Sequence, residues 1–249
     1  MTSVVLVGIV RQGQRDKGTS GSGRHRILRV NDFMFQDRRE AGRVLGKLVN
    51  SLPDLEDAVV LGLVRGGVPV ALEVSRACGL PMDIMVVRKL GVPGQEELAM
   101  GAIASGGGVV LNEGVVRAWH ISEQKLEQVI EREKREMGRR EVLYRHGRPA
   151  QVLEGRTVIL VDDGLATGAS MRAAIRAVEG QARRVIVAVP VGAKSTCEAL
   201  AEEADKVVCA QTPEPFDAVS LFYREFGPTT DEEVMALMRL GMRDRDTGT

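Results

Sequence analysis

From Ala58 to Ala210 the chain repeats one pattern: a short aliphatic, β-branched run, a small-residue turn, then apolar positions at helical spacing. Strands are predicted at Ala58–Leu63, Met82–Val87, Val158–Val161, Arg184–Val189 and Lys206–Ala210. A helix is predicted to follow Val64-Arg65-Gly66-Gly67-Val68-Pro69 and end near Cys78-Gly79, and another carries Met171, Ala174, Ile175 and Val178 before Gly180. Ser195-Thr196-Cys197-Glu198 reads as a capping box for a helix through Leu200. Such alternation implies a mostly parallel, twisted α/β sheet flanked by helices and joined by right-handed crossovers. Ahead of it, Ala41, Val44, Leu45, Leu48 and Val49 mark an amphipathic helix, with Asp37 as cap and Pro53 as stop. Ala99–Ala104 and Val109–Leu111 predict a hairpin through Ser105-Gly106-Gly107-Gly108, and Ser122 caps a long helix with a thin stripe of Leu126, Val129, Ile130 and Met137. Trp119 reads as an ordinary packing residue, and Asp231–Leu240 as a closing helix.

The ends break this pattern. Residues 11–29 are rich in Gly, Ser, Lys and Arg without periodicity, so residues 1–30 are expected to be a disordered extension, 31–240 one domain, and 241–249 a frayed tail. The apolar opening Val4–Val10 is too short to span a membrane and has no cleavage site of the secretory kind. Lys+Arg and Asp+Glu are both 34, so no global field draws the molecule to nucleic acid or an anionic membrane, and an anion site must be local. Aromatics at 3% give no stacking platform for single strands. Cys78, Cys197 and Cys209 are odd in number and far apart, which excludes a disulfide framework and a zinc site and fits reduced thiols in the cytoplasm.

The richest chemistry follows the strand Val158–Val161. Asp162 and Asp163 stand at its carboxyl end, where open α/β sheets bind ligands, and two adjacent carboxylates can accept hydrogen bonds from vicinal hydroxyls. Gly164, Gly168 and Ala169 then keep side chains clear of a helix start, where backbone N–H groups and the helix dipole suit a phosphate. Phosphate plus diol points to ribose 5-phosphate. A nucleotide-triphosphate loop is not present, since Gly42-Arg43-Val44-Leu45-Gly46-Lys47 is one residue short of it.

The string Val161-Asp162-Asp163-Gly164-Leu165-Ala166-Thr167-Gly168-Ala169-Ser170 resembles, nearly position for position, the phosphoribosyl-diphosphate (PRPP) motif of the type I phosphoribosyltransferases, in particular their bacterial "predicted phosphoribosyltransferase" branch. The resemblance implies that family's fold, with a small hood insert. It implies transfer of the 5-phosphoribosyl group of PRPP to a nitrogen acceptor, such as a nucleobase, with release of pyrophosphate and Mg²⁺ as cofactor. Asp162 and Asp163 would hold the ribose hydroxyls and the metal, and Ala166, Thr167, Gly168, Ala169 and Ser170 the 5-phosphate. Arg65-Gly66-Gly67, at a strand end, resembles the family's pyrophosphate loop, although such a tripeptide by itself is a common tight turn. Arg88-Lys89 with Leu90–Glu97 resembles the mobile catalytic loop of adenine-type enzymes; the bland reading is a charged surface loop. Glu96 or Glu97 would be in reach as a general base. The loop after the last strand would hold the acceptor, with Phe216 either stacking on its ring or packing in the core. Ala166 stands where hypoxanthine-guanine enzymes carry aspartate, which disfavours that specificity. Partners are then PRPP and a small acceptor, with a homodimer left open. A catalytically silent PRPP or nucleotide sensor and a nucleotide hydrolase are the rival readings.

Overall fold

The computed structural model describes residues 3–6 and 34–246. Its strands are β1 (Ser3–Leu6), β2 (Val59–Val64), β3 (Met82–Val92), β4 (Gln95–Ala104), β5 (Val109–Leu111), β6 (Thr157–Val161), β7 (Arg184–Val191) and β8 (Lys206–Gln211). Its helices are α1 (Arg38–Asn50), α2 (Gly67–Cys78), α3 (Glu113–Ala118), α4 (Glu123–Arg145), α5 (Ala169–Val178), α6 (Lys194–Leu200) and α7 (Asp231–Asp246). Among the described residues these strands form one eight-stranded sheet, in the order β1-β8-β7-β6-β2-β3-β4-β5. It is parallel from β1 to β3 and antiparallel through β4 and β5.

Alternate residues of the central strands face opposite layers. Val60, Ile84, Ile159 and Val161 pack under α1, α2, α4 and α7, while Val59, Leu61, Val158 and Leu160 pack under α5 and α6. Burial on both faces explains why these strands read as continuous apolar runs. Local signals hold where expected: Asp37 Oδ1 accepts the Glu40 amide at 2.8 Å, Ser122 caps α4, and Gly79 ends α2 in the left-handed region at φ 65°.

Several readings are corrected. Leu90–Glu97 is not a loop but part of a β3–β4 hairpin. Leu90 and Val92 are fully buried, Val92 pairs with Gln95, and Pro93-Gly94 makes the turn with Gly94 at φ 82°. Proline followed by a positive-φ glycine suits the tightest reversal, so residues taken for an open loop close one. The capping box at Ser195 does not form: α6 starts at Lys194 behind Ala193, which has no capping side chain. Trp119 is 44% exposed, at the end of a helix, α3, that the apolar pattern did not announce. The closing helix continues past Leu240 to Asp246. Ser3–Leu6, read as part of an extension without a core, pairs in parallel with β8 as an edge strand. Residues 11–29 and 247–249 lie outside the described residues.

Candidate active site

The parallel pairing of β2 with β6 sets the geometry of the site. It brings the end of β2, with Arg65, Gly66 and Gly67, beside the end of β6, with Asp162 and Asp163. The approach is so close that a methyl group on Gly66 would lie 2.1 Å from Asp163 Oδ2, and one on Gly67 2.5 Å from the Val161 carbonyl. Glycine is required here by contact rather than by backbone angle, since Gly66 sits at φ −62° and ψ −31°. The helix α2 begins at this contact. Neither α2 nor α5 has a side-chain cap: Gly66 and Gly168 occupy the cap positions, the latter at φ 78°. Two helix starts therefore bracket the acidic pair, their dipoles offsetting its negative charge; α5 offers uncapped amides to an anion, whereas at α2 the Val68 amide is taken by Arg65 O at 3.2 Å and Pro69 has none.

The loop between Asp163 and α5 is anchored from outside. Leu165 bridges to β7's end through its amide to Val191 O (2.9 Å) and its carbonyl from Ala193 N (2.8 Å). Thr196 Oγ1 donates to Ala166 O at 2.7 Å, and Arg172 Nη1 to Thr167 O at 3.1 Å. With these carbonyls engaged, the amides of Thr167 to Ser170 and the Thr167 and Ser170 hydroxyls are the groups left to meet a ligand; Ala166 and Thr167 are exposed.

Burial raises the pKa of Asp162 well above the ordinary aspartate range, with the neighbouring Asp163 adding to it. Burial raises that of Asp163 too, opposed by Arg38, whose Nε lies 2.8 Å from Asp163 Oδ2. Tyr223 donates its hydroxyl to the Asp163 carbonyl at 2.6 Å, and the Asp163 amide donates to Asp162 Oδ1 at 2.9 Å. Arg38 also donates to Gly227 O at 2.8 Å and lies 3.9 Å above the centre of the Phe226 ring. Phe35, Phe216, Phe222, Tyr223 and Phe226 form an aromatic cluster beside this network. Phe216 stacks on Phe222 at 5.2 Å, so one of its faces is already covered.

The other cations are held apart from the pair. Arg65 Nη1 lies 3.4 Å from Asp231 Oδ1, an oxygen that also accepts the hydroxyl of the buried Tyr144 at 2.7 Å. Arg88 is bound through Nε to the buried Glu133 of α4, while its neighbour Lys89 points to solvent. Glu96 and Glu97 are exposed at the start of β4. The Glu96 carboxyl accepts the Gly94 amide, and backbone hydrogen bonds lower its pKa, so it is a weaker base than a free glutamate. Among the described residues no hydrogen bond or ion pair links either glutamate to the acidic pair. Arg38, Tyr223 and the Asp231–Tyr144 pair were missed in the sequence, because no motif marks them and Arg38 lies 125 positions from its partner.

A mostly parallel sheet flanked by helices, with an acidic pair at one strand end and two glycine-started helices beside it, is the architecture of a phosphoribosyltransferase. Residues 36–221 match the family model described as a phosphoribosyl transferase domain, and the chain belongs to that family. Two Mycobacterium tuberculosis proteins from different strains, provisionally named phosphoribosyl transferases, are each 44% identical to it over 212 residues, which is 85% of this chain and 48% of theirs. The chain thus spans about half the length of these curated relatives. A solved structure, TT1426 from Thermus thermophilus, is also 44% identical, with a TM-score of 0.69 over 82% of this chain and 97% of that one. Among the described residues no helix is long and apolar enough to cross a membrane.

Proposed function

We propose that this chain transfers the 5-phosphoribosyl group of PRPP to a nitrogen acceptor, a nucleobase in the first instance, and releases pyrophosphate. The observation that carries this reading is the contact of Gly66 and Gly67 with Asp162 and Asp163, which packs the start of α2 against a carboxylate pair. A ribose would fit between these carboxylates and the uncapped start of α5, where its 5-phosphate would meet the amides of Ala166 to Ser170. The leaving pyrophosphate would lie over Gly66 and Arg65. Breaking the anomeric bond builds positive charge on the sugar and negative charge on the leaving group, so catalysis here is mainly positioning and charge stabilisation.

Asp162 and Asp163 offer the hard oxygen donors that Mg²⁺ prefers. Among the described residues no group of three or more His, Cys, Asp or Glu gathers, so the remaining ligands would be oxygens of substrate and water. The chemistry Mg²⁺ supplies when bound is neutralisation of pyrophosphate charge. On the protein side, Arg65 would exchange Asp231 for a phosphate oxygen, and Lys89 would add a mobile charge. Ala166 leaves the loop without an acid to handle a purine ring proton, which turns the reading away from hypoxanthine and guanine.

One observation favours a second reading, a PRPP-binding regulator without turnover. Arg88 is tied to Glu133 within a paired hairpin, where the enzyme reading wants a cation free to close over the leaving group. Pyrophosphate release from PRPP and Mg²⁺ in the presence of a panel of bases and other amines separates the two. Release that depends on one acceptor supports the transferase; tight PRPP binding without product across the panel supports the regulator; release without an acceptor indicates hydrolysis.

A further inference from the structure

Arg38 holds three partners, Asp163, Phe226 and Gly227, that all lie more than a hundred positions from it in the sequence. Its Nε donates to Asp163 Oδ2 at 2.8 Å, its Nη1 donates to Gly227 O at 2.8 Å, and its guanidinium plane lies on Phe226. Its side chain is only 12% exposed. The same segment reaches Asp163 from a second direction, through the Tyr223 hydroxyl on the Asp163 carbonyl. It is also stitched to the start of α1, by Phe35 N to Phe222 O and by Arg224 N and Glu225 N to Phe35 O and Gln36 O, each at 2.9 Å. Arg38, Asp163 and residues 222–227 therefore form a closed ring of contacts in which the carboxylate is gripped at Oδ2. Asp163 Oδ1 makes no hydrogen bond among the described residues. A lysine could supply the charge but not two directed N–H groups and a flat face together.

We propose that Arg38 is a positioning residue for Asp163: by occupying Oδ2 it presents Oδ1 to the ribose diol and couples the aromatic segment 222–227 to the sugar-binding edge. The inference rests on the PRPP reading above for the identity of the ligand, but the coupling itself is a property of the chain. A carboxylate set free of this grip can rotate, and coupling within one hydrogen-bond network is worth about twofold to a hundredfold.

The test is a double-mutant cycle of wild type, Arg38→Ala, Asp163→Asn and the double variant, each titrated with PRPP and Mg²⁺ by calorimetry and each melted without ligand. Arg38→Ala is expected to weaken PRPP binding about tenfold to a hundredfold, and to add less than about threefold once Asp163 is already Asn. Ethylguanidinium is expected to restore affinity to Arg38→Ala but not to the double variant, a rescue that loss of fold would not allow. Arg38→Lys, which keeps the charge near a folded site, is expected to bind PRPP no better than about a tenth as well as wild type. Unchanged affinity in Arg38→Ala, full additivity with Asp163→Asn, or rescue in the double variant would overturn the proposal. A wild type that binds no PRPP refutes the functional reading instead. The melting temperatures of the four proteins then decide, with non-additivity supporting the coupling and additivity overturning it.

Discussion

Replacing Gly66 by alanine adds one methyl group at the point where α2 meets the acidic pair, and the outcome can be worked through in parts. The backbone is no obstacle: at φ −62° and ψ −31° alanine is comfortable, and such a change by itself stabilises by about 0.4–1 kcal/mol through the unfolded chain. The contact opposes it. The methyl would lie 2.1 Å from Asp163 Oδ2, where ordinary contact begins at 3.4 Å, so the carboxylate has to retreat by more than an ångström. An unrestrained carboxylate would swing away cheaply, but Arg38 holds this oxygen at 2.8 Å. Losing a hydrogen bond between charged groups costs about 1.5–3 kcal/mol. The net expectation is a loss of about 1–2 kcal/mol, which for a chain of this size is a fall in Tm of about 2–8 °C. If this carboxylate holds the ribose as proposed, PRPP affinity should drop about tenfold to a hundredfold. Gly67→Ala is the control. Its methyl would meet Val161 O at 2.5 Å and Asp162 Cα at 2.9 Å, backbone atoms that cannot rotate away, so it should cost the fold about 1–3 kcal/mol even without ligand. Thermal melts and calorimetric titration of both variants give the answer. If Gly66→Ala melts at or above wild type and binds PRPP equally well, the close packing of α2 on Asp163 is wrong.

Asp162→Asn should raise Tm at neutral pH by an amount equivalent to about 0.5–2 kcal/mol while abolishing PRPP binding. Burial and Asp163 raise the Asp162 pKa in the fold, so its contribution to stability is complete below the unfolded aspartate value and is lost as pH rises through the folded one. The gap between variant and wild type should therefore open with rising pH, and a gap constant from pH 4 to 8 would contradict it. Arg88→Met should destabilise by about 1–3 kcal/mol because it strips a buried Glu133 of a partner, whereas exposed Lys89→Ala should leave Tm within about 1 °C. On a preparation with turnover, Lys89→Ala is expected to lower kcat about a hundredfold, and an unchanged rate at saturating PRPP removes Lys89 from the chemistry. Deleting the residues before Asn31 removes β1 and leaves the apolar strand β8 as an open edge, so a lower Tm and concentration-dependent association are expected; unchanged melting would mean that this strand pairing contributes nothing.

Much of this protein was determined locally. The aliphatic runs read at Ala58–Leu63 and Val158–Val161 are the strands β2 and β6 within a residue at each end, and the small residues from Gly164 to Ala169 lead into a helix start as read. The position of Asp162 and Asp163 at a strand end was legible because it follows from the pattern itself. The hairpin at Leu90–Glu97 was not, since Val92-Pro93-Gly94-Gln95 spells a loop unless the burial of Leu90 and Val92 is known, and burial is a property of the packed sheet. Neither were Arg38 and Tyr223. Their side chains acquire a role only when α1 and the segment after β8 fold back over β6, and no periodicity encodes contacts with Asp163 from 125 and 60 positions away. Sequence by itself determined which groups could bind a phosphorylated sugar, through residue types whose backbone preferences act over a few positions. Tertiary structure alone decided which cations are spoken for, which carboxylate oxygen Arg38 holds and how tightly the pair is buried, because those depend on the desolvation and close contact that only the assembled layers impose.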